Sequence, residues 1–231
     1  MTEPLVLVPG MMCDARLYEH QLLHLSRERA VTIAPVTQGD RIEDIAAHLL
    51  EQLPARFALA GLSMGGIVAM ELIRRAPERV TRLCLMDTEA MADTPHIAAA
   101  REPMIVGAKA GRLDEVMRQA MQPEFLAPGP QRMAVLDRVY QMARDLGPDL
   151  FERQSRALQR RPDQQSTLRR IKVPTLILCG AHDALTPVKR HTFMAELIPG
   201  AHLQVIEDAG HLPVLETPEI VTQALREWLA L

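Results

Sequence analysis

Residues 61–66 read Gly-Leu-Ser-Met-Gly-Gly, and this stretch decides the fold of the chain. A short apolar run, Phe57–Ala60, precedes it and predicts a buried strand. A helical pattern follows it, over Gly66–Arg75, and stops before a proline. A G-x-S-x-G sequence between a strand and a helix is typical of a sharp turn that exposes the serine hydroxyl. We therefore predict that Ser63 is a nucleophile.

The two glycines of this turn, Gly61 and Gly65, flank Ser63 on either side. We expect that a Cβ atom at either position would collide across the turn. The turn also places Ser63 at a helix N-terminus, where free N–H groups stabilise negative charge.

Short apolar runs alternate with helical patterns along the rest of the chain. Unbroken apolar runs suit strands that are covered on both faces, as in a parallel sheet. Helical patterns at Ile42–Gln52 and Pro218–Leu231 complete the alternation. This order predicts an α/β fold with a doubly wound, mostly parallel sheet. The six predicted strands are Pro4–Val8, Ala30–Ala34, Phe57–Ala60, Leu83–Met86, Pro174–Cys179 and Leu203–Ile206.

The alternation of strands and helices is interrupted over residues 89–174, where the sequence contains no convincing strand. Its 14 basic and 11 acidic residues also contrast with 12 basic and 18 acidic residues in the rest of the chain. We predict a core formed by 1–88 and 175–231, interrupted by a helical cap over 89–174. The predicted cap helices are Thr94–Ala110, Leu113–Met121, Pro130–Leu146 and Pro148–Arg160.

The composition excludes several classes of protein. The net charge of −3 and the aromatic content of 3% argue against nucleic-acid binding. The longest near-apolar stretch, Phe57–Met70, is too short to span a bilayer, and the N-terminus is unlike a signal peptide. The three cysteines match no metal motif and fit buried core positions in a reducing compartment. We expect a cytoplasmic protein without nucleic-acid or membrane partners.

A serine hydroxyl is a poor nucleophile until a base takes its proton, and an imidazole can act as that base near neutral pH. A buried carboxylate would then orient the imidazole. His211 and Asp183 both lie just past predicted strands, where open α/β sheets place their ligands. Two rivals remain open: Asp87 at the end of another strand, and His182 beside Asp183.

On these residues the sequence resembles the α/β-hydrolase family over most of its length. Residues 180–183 (Gly-Ala-His-Asp) resemble the family's acid loop, and residues 208–211 (Asp-Ala-Gly-His) resemble its histidine loop. The order serine, acid, histidine is that of the family. The resemblance implies a triad of Ser63, Asp183 and His211, although some family members place the acid where Asp87 stands. The helical insertion lies where these hydrolases carry a cap.

The first strand ends in Pro9-Gly10-Met11-Met12, which resembles the family's His-Gly-x turn with Pro9 in place of the histidine. Backbone N–H groups form the oxyanion hole in such turns. The resemblance implies the N–H groups of Met11 and Met64 as donors, with Gly10 allowing a close approach.

Only eight residues precede Pro9, so we expect the hairpin that usually comes before the first strand in this family to be absent. About six strands remain, and Ala30–Ala34 would lie at a sheet edge. Because exposed edges tend to pair, a homodimer through this strand is one hypothesis.

These expectations combine into a serine hydrolase that cleaves a small ester, thioester or lactone through an acyl-enzyme. No metal or organic cofactor is implied. The alternatives are hydrolysis of a carbon–carbon bond in a β-diketone-like acid, cofactor-free perhydrolase or lyase chemistry, and a ligand receptor on the same fold. The arginine-rich cap could favour an acidic substrate, but solvated helix faces explain most of these arginines more simply.

Overall fold

The computed structural model describes residues 3–231 and contains one six-stranded sheet in which every neighbouring pair of strands is parallel. The strand order across the sheet is β2-β1-β3-β4-β5-β6. The strands are β1 (Leu5–Val8), β2 (Val31–Ile33), β3 (Phe57–Leu62), β4 (Val80–Met86), β5 (Thr175–Gly180) and β6 (His202–Ile206).

Helices connect the strands and cover both faces of the sheet. In chain order they are α1 (Glu19–Leu25), α2 (Ile42–Gln52), α3 (Met64–Arg75), α4 (Pro95–Gly107), α5 (Leu113–Ala120), α6 (Arg132–Leu146), α7 (Pro148–Gln159), α8 (Gln165–Leu168), α9 (Val188–Leu197), α10 (Pro213–Glu216) and α11 (Pro218–Ala230). Single turns of 3₁₀-helix occur at Ala15–Tyr18 and Pro123–Phe125, and a π-helical turn occurs at Ala108–Arg112.

Alternation along β1 divides the core into two layers. Leu5 and Leu7 lie in the layer that also holds residues of α1 and α11. Val6 and Val8 lie in the layer packed against α2 and α3. All four side chains are fully buried, which is why the strand reads as an unbroken apolar run rather than an alternating one.

The predicted fold is confirmed: the sheet is all-parallel, doubly wound and interrupted by a helical insertion. All six strands lie where the apolar runs predict them, and β3 continues two residues further, to Leu62. β2 lies at the sheet edge with half-buried residues, as expected. Pairing of two copies through β2 stays a prediction.

Four helices were not predicted from the sequence: α8 and α10, which have only four residues each, and the longer α1 and α9. Helices α1 and α9 have only two buried side chains each, and one of the two is polar (Gln21 in α1 and His191 in α9). A polar residue on the buried face weakens the apolar periodicity from which helices are recognised.

The insertion between β4 and β5 contains α4 to α8. Helices α4 and α7 pack against each other, as do α5 and α6, whereas α8 lies against α3 and α9 of the core. The boundaries 89–174 for the cap remain a prediction. Within residues 3–231, none of the helices combines the length and apolar character needed to cross a membrane.

Candidate active site

Ser63 lies at the junction of β3 and α3 in a strained backbone conformation, with φ 54° and ψ −119°. The neighbouring glycines make this turn sterically possible. A Cβ atom on Gly61 would lie 2.3 Å from the carbonyl oxygen of Gly65, and one on Gly65 would lie 2.0 Å from that of Val8. Because real contacts of this kind are never so short, β3 turns into α3 only with glycine at both positions.

Thr88 supports the serine turn from the end of β4. Its hydroxyl donates to the carbonyl oxygen of Ser63 at 2.7 Å, and its side chain fills the space beside Gly66. The backbone N–H of Thr88 in turn donates to Nε2 of the fully buried His191 at 2.9 Å. Sequence analysis missed Thr88 and His191, since neither belongs to a recognisable motif.

His211 connects the predicted nucleophile and the predicted acid. Its Nε2 atom lies 3.0 Å from Oγ of Ser63, and its Nδ1 atom lies 2.8 Å from Oδ2 of Asp183. The three side chains come from the ends of β3, β5 and β6, at the carboxyl edge of the sheet. With the proton on Nδ1, the imidazole can donate to the carboxylate and accept a proton from the serine hydroxyl.

Asp183 is held as a carboxylate by four donors. Its Oδ1 atom accepts from the backbone N–H groups of Leu185 and Thr186, at 2.8 and 2.9 Å. Its Oδ2 atom accepts from the Thr186 hydroxyl at 2.6 Å and from His211. Burial by itself raises the pKa of Asp183, but the nearby imidazole and these hydrogen bonds outweigh it and lower the pKa below its usual value.

The rival residues occupy different environments. Asp87 is fully buried at φ 42°, and its Oδ1 atom accepts from the backbone N–H of Gly180 at 3.0 Å. Burial, and then the charge of Asp183, raise the pKa of Asp87 well above its usual value. His182 is exposed. In the described part of the chain, neither residue is hydrogen-bonded to His211 or Ser63.

Asp87, Asp183 and His211 also have the chemistry of metal ligands, with one donor atom of each within 4.8 Å of the others. Both ring nitrogens of His211 are already engaged with Ser63 and Asp183. A metal on this imidazole would therefore replace a hydrogen bond of the serine–histidine–aspartate arrangement.

The loop after β1 faces the serine. The backbone N–H groups of Met11 and Met64 have no acceptor within residues 3–231, and both residues line the pocket above Ser63. A Cβ atom on Gly10 would lie 3.4 Å from Leu62 and Ser63, which is ordinary contact. Position 10 therefore has room for the methyl group of an alanine, so its contacts with Leu62 and Ser63 do not themselves require glycine.

A side chain of the cap fixes this loop. Gln154 of α7 is buried, and its Oε1 atom accepts from the backbone N–H of Met12 at 2.8 Å. Its Nε2 atom donates to the carbonyl oxygen of Val36 at 2.7 Å. Met12 itself has φ 54°, so Gln154 holds a strained residue next to the candidate oxyanion donors.

A pocket of about 390 Å³ lies between Ser63 and the cap. Its walls are mainly apolar, and five methionines take part in them: Met11, Met64, Met104, Met117 and Met121. Thioether side chains adapt to irregular apolar groups. The half-exposed side chains of Ile97 and Leu185 also line it.

The charged groups of the pocket wall balance one another. Arg161 forms ion pairs with Glu89 and Asp93, and Arg101 pairs with Asp93 at 2.9 Å. All four residues line the pocket. Since two cations face two anions, this wall carries no net positive charge.

Comparison with known proteins agrees with this geometry. The model of the alpha/beta hydrolase family matches residues 5–224. A pimeloyl-[acyl-carrier protein] methyl ester esterase of Neisseria meningitidis is 29% identical over 202 residues, which are 85% of this chain and 78% of that protein. An esterase from Thermogutta terrifontis has a TM-score of 0.87 at 30% identity, with 99% of this chain and 89% of that chain covered.

An enol-lactonase from Burkholderia xenovorans LB400 has the same fold, with a TM-score of 0.88 at 22% identity over 100% of this chain and 92% of that one. The family match covers the sheet, the insertion and the three hydrogen-bonded residues Ser63, His211 and Asp183. From its sheet, its serine turn and this match, the chain belongs to the alpha/beta hydrolase family.

Proposed function

We propose that the protein is a serine esterase that hydrolyses a small carboxylic ester through an acyl-enzyme. One observation carries the proposal: His211 lies within hydrogen-bonding distance of both Ser63 Oγ and Asp183 Oδ2. A nucleophile, a base and a group that orients the base are the parts that covalent acyl transfer needs.

In the first half of the reaction, Ser63 Oγ attacks the ester carbonyl while His211 Nε2 takes the hydroxyl proton. The carbonyl oxygen gains negative charge, and the N–H groups of Met11 and Met64 donate to it. Asp183 stabilises the imidazolium that forms. The C–O bond to the alcohol then breaks, His211 returns its proton to the leaving oxygen, and the acyl group remains on Ser63.

In the second half, His211 takes a proton from water, and the resulting hydroxide attacks the acyl carbon. The bond to Ser63 Oγ breaks, and the proton on His211 returns to the serine. The products are the free acid, the alcohol and the unchanged enzyme. Each step uses protein groups and water alone.

We expect the acyl group to be apolar and uncharged. The pocket walls are largely methionine and aliphatic side chains, and the two arginines among them, Arg101 and Arg161, already pair with acids. A substrate carboxylate would have to displace Asp93 or Glu89. The acidic-substrate hypothesis, and with it the β-diketone-like acid alternative, gains no support from this wall.

The names of two similar proteins are consistent with an ester as the substrate. The meningococcal relative is an esterase for a methyl ester, and the Thermogutta protein is an esterase. We extend that chemistry, rather than either protein's substrate, to this chain.

The test is pre-steady-state hydrolysis of p-nitrophenyl esters with acyl chains of two to eight carbons. We expect a burst of p-nitrophenol equal to the enzyme concentration, because an activated phenyl ester acylates Ser63 faster than water cleaves the acyl-enzyme. Ser63→Ala should abolish the burst and lower kcat by about 10⁶-fold, as for triad nucleophiles elsewhere.

Covalent labelling separates an enzyme from a ligand receptor. A fluorophosphonate should label Ser63 in the wild type and leave Ser63→Ala unlabelled. An unlabelled wild-type protein, or a variant that still gives a burst, would contradict the proposal.

A further inference from the structure

The loop that carries His211 is fixed by a buried carboxylate from α10. Glu216 accepts from the backbone N–H of Gly210 at 3.0 and 3.1 Å, and from that of Leu212 at 2.9 Å. Its side chain therefore holds the residues immediately before and after His211. Glu216 is 6% exposed and does not line the pocket.

The same carboxylate also reaches the cap. Its Oε2 atom accepts from the backbone N–H of Ala127 at 2.7 Å. Next to this contact, the backbone N–H of His211 donates to the carbonyl oxygen of Phe125 at 2.7 Å. Residues 125–127 of the cap are thus hydrogen-bonded to the histidine loop at two points.

Close packing accompanies these hydrogen bonds. A Cβ atom on Gly210 would lie 2.4 Å from the carbonyl oxygen of Phe125 and 2.6 Å from Cα of Leu126. The histidine loop and the cap are therefore in direct backbone contact, with no side chain of the loop between them.

We propose that Glu216 is a positioning residue that fixes His211 against the cap, so that the cap is part of the machinery that aligns the base with Ser63. The inference rests on the proposed esterase function. Within residues 3–231, every group that donates to the Glu216 carboxylate is a backbone N–H, so only a carboxylate satisfies all of them. Glu216 touches neither Ser63 nor the pocket, and acts through His211.

The test compares Glu216→Gln with wild type in the hydrolysis of a p-nitrophenyl ester. A glutamine side chain has one oxygen, so its amide nitrogen must face a backbone N–H. The hydrogen bonds that one carboxylate oxygen of Glu216 accepts are then lost. Displacement of a catalytic group by up to 1 Å lowers the rate by roughly 10- to 100-fold. We expect kcat to fall in that range with KM unchanged, because the pocket walls are untouched.

A matched control is Glu71→Gln. Glu71 is also a buried glutamate, but it pairs with Arg74 and Arg75 at the far end of α3. The same substitution there should lower the melting temperature without changing kcat. A purely structural role of Glu216 would make the two variants alike in kcat at a temperature where both are folded.

A second variant isolates the cap. Ala127→Pro removes the N–H that donates to Glu216, and the preceding Leu126 already has the extended backbone that proline requires, with ψ 155°. We expect this variant to lower kcat with KM unchanged, as Glu216→Gln does.

The rate of fluorophosphonate labelling of Ser63 provides a readout that does not depend on substrate binding, and it should fall in both variants. Wild-type kcat and labelling rates in folded Glu216→Gln or Ala127→Pro would overturn the inference. Failure of the wild type to turn over esters would instead overturn the proposed function.

Discussion

Two buried aspartates stand next to the candidate histidine, and the structure gives them opposite electrostatic roles. Asp183 is hydrogen-bonded by four donors, which include His211, and its pKa is lowered. Within residues 3–231 the one group that donates to Asp87 is the N–H of Gly180, and burial and then the charge of Asp183 raise the pKa of Asp87 well above its usual value. The raised pKa favours the uncharged form of Asp87, which stabilises an imidazolium less than a carboxylate does.

This contrast predicts the result of exchanging each aspartate for asparagine. Asp183→Asn should lower kcat by about 10⁴-fold, as in triads where the orienting carboxylate is removed. Asp87→Asn keeps the shape of the side chain and an oxygen that can accept from the N–H of Gly180, and it should leave kcat close to wild type. Steady-state hydrolysis of a p-nitrophenyl ester measures both. If Asp87→Asn, and not Asp183→Asn, causes the large loss of kcat, then Asp87 is the carboxylate that orients His211.

At the scale of elements, the junction of β3 and α3 determines where the nucleophile lies. The backbones of the turn, of the loop after β1 and of α3 approach so closely that glycine is required at Gly61 and Gly65. Thr88, from the end of β4, then holds the carbonyl of Ser63. The position of the serine thus depends on three neighbouring strands.

The prediction at this scale concerns Gly65→Ala. Its methyl group would lie 2.0 Å from the carbonyl oxygen of Val8, so β1 and α3 must move apart. We expect a loss of roughly 1–3 kcal/mol or more in the free energy of unfolding, from urea denaturation. Gly129→Ala is the control, since no atom lies within 4 Å of the added methyl, and it should change stability by less than about 0.5 kcal/mol. Equal stabilities would contradict this account.

At the scale of the whole molecule, His191 makes folding depend on pH. It lies on α9, is fully buried, and accepts from Thr88 at the end of β4, so it connects a core helix to the active-site edge of the sheet. Burial, which outweighs the attraction of Asp183, lowers the pKa of His191 to about 4. In the unfolded chain an imidazole has a pKa near 6.5.

Between these two values the unfolded state binds the proton and the folded state does not. Stability contributed by neutral His191 is therefore complete above about pH 6.5 and is lost as pH falls toward about 4. By pH 5 we expect a loss of about 2 kcal/mol relative to pH 7, from urea denaturation at the two pH values.

His191→Gln is the comparison, because a glutamine carbonyl can accept from Thr88 without titrating. Its loss of stability between pH 7 and pH 5 should be smaller than that of wild type by this amount. The same pH dependence in both proteins would show that another group is responsible.

Much of the fold follows from patterns that are local in the chain. Apolar runs of four to six residues mark all six strands. β1, β3 and β5 are buried along their whole length, whereas the edge strands β2 and β6 are mostly half-buried. The serine turn is recognisable because its glycines are demanded by backbone contacts within or beside the turn itself. Helix α9 escaped prediction because its buried face carries His191, whose reason for burial is a contact with Thr88, 103 residues away.

The sequence by itself determined the doubly wound sheet, the helical insertion and the residues Ser63, Asp183 and His211 as candidates, because periodicity and motif spacing are properties of neighbouring residues. Only the tertiary structure decided that His211 pairs with Asp183 rather than Asp87, and that Gln154, Glu216 and Thr88 support the site. It also decided that the pocket arginines are neutralised by Glu89 and Asp93. These contacts join residues that are mostly far apart in the chain, and burial sets their charge states, so no local pattern encodes them.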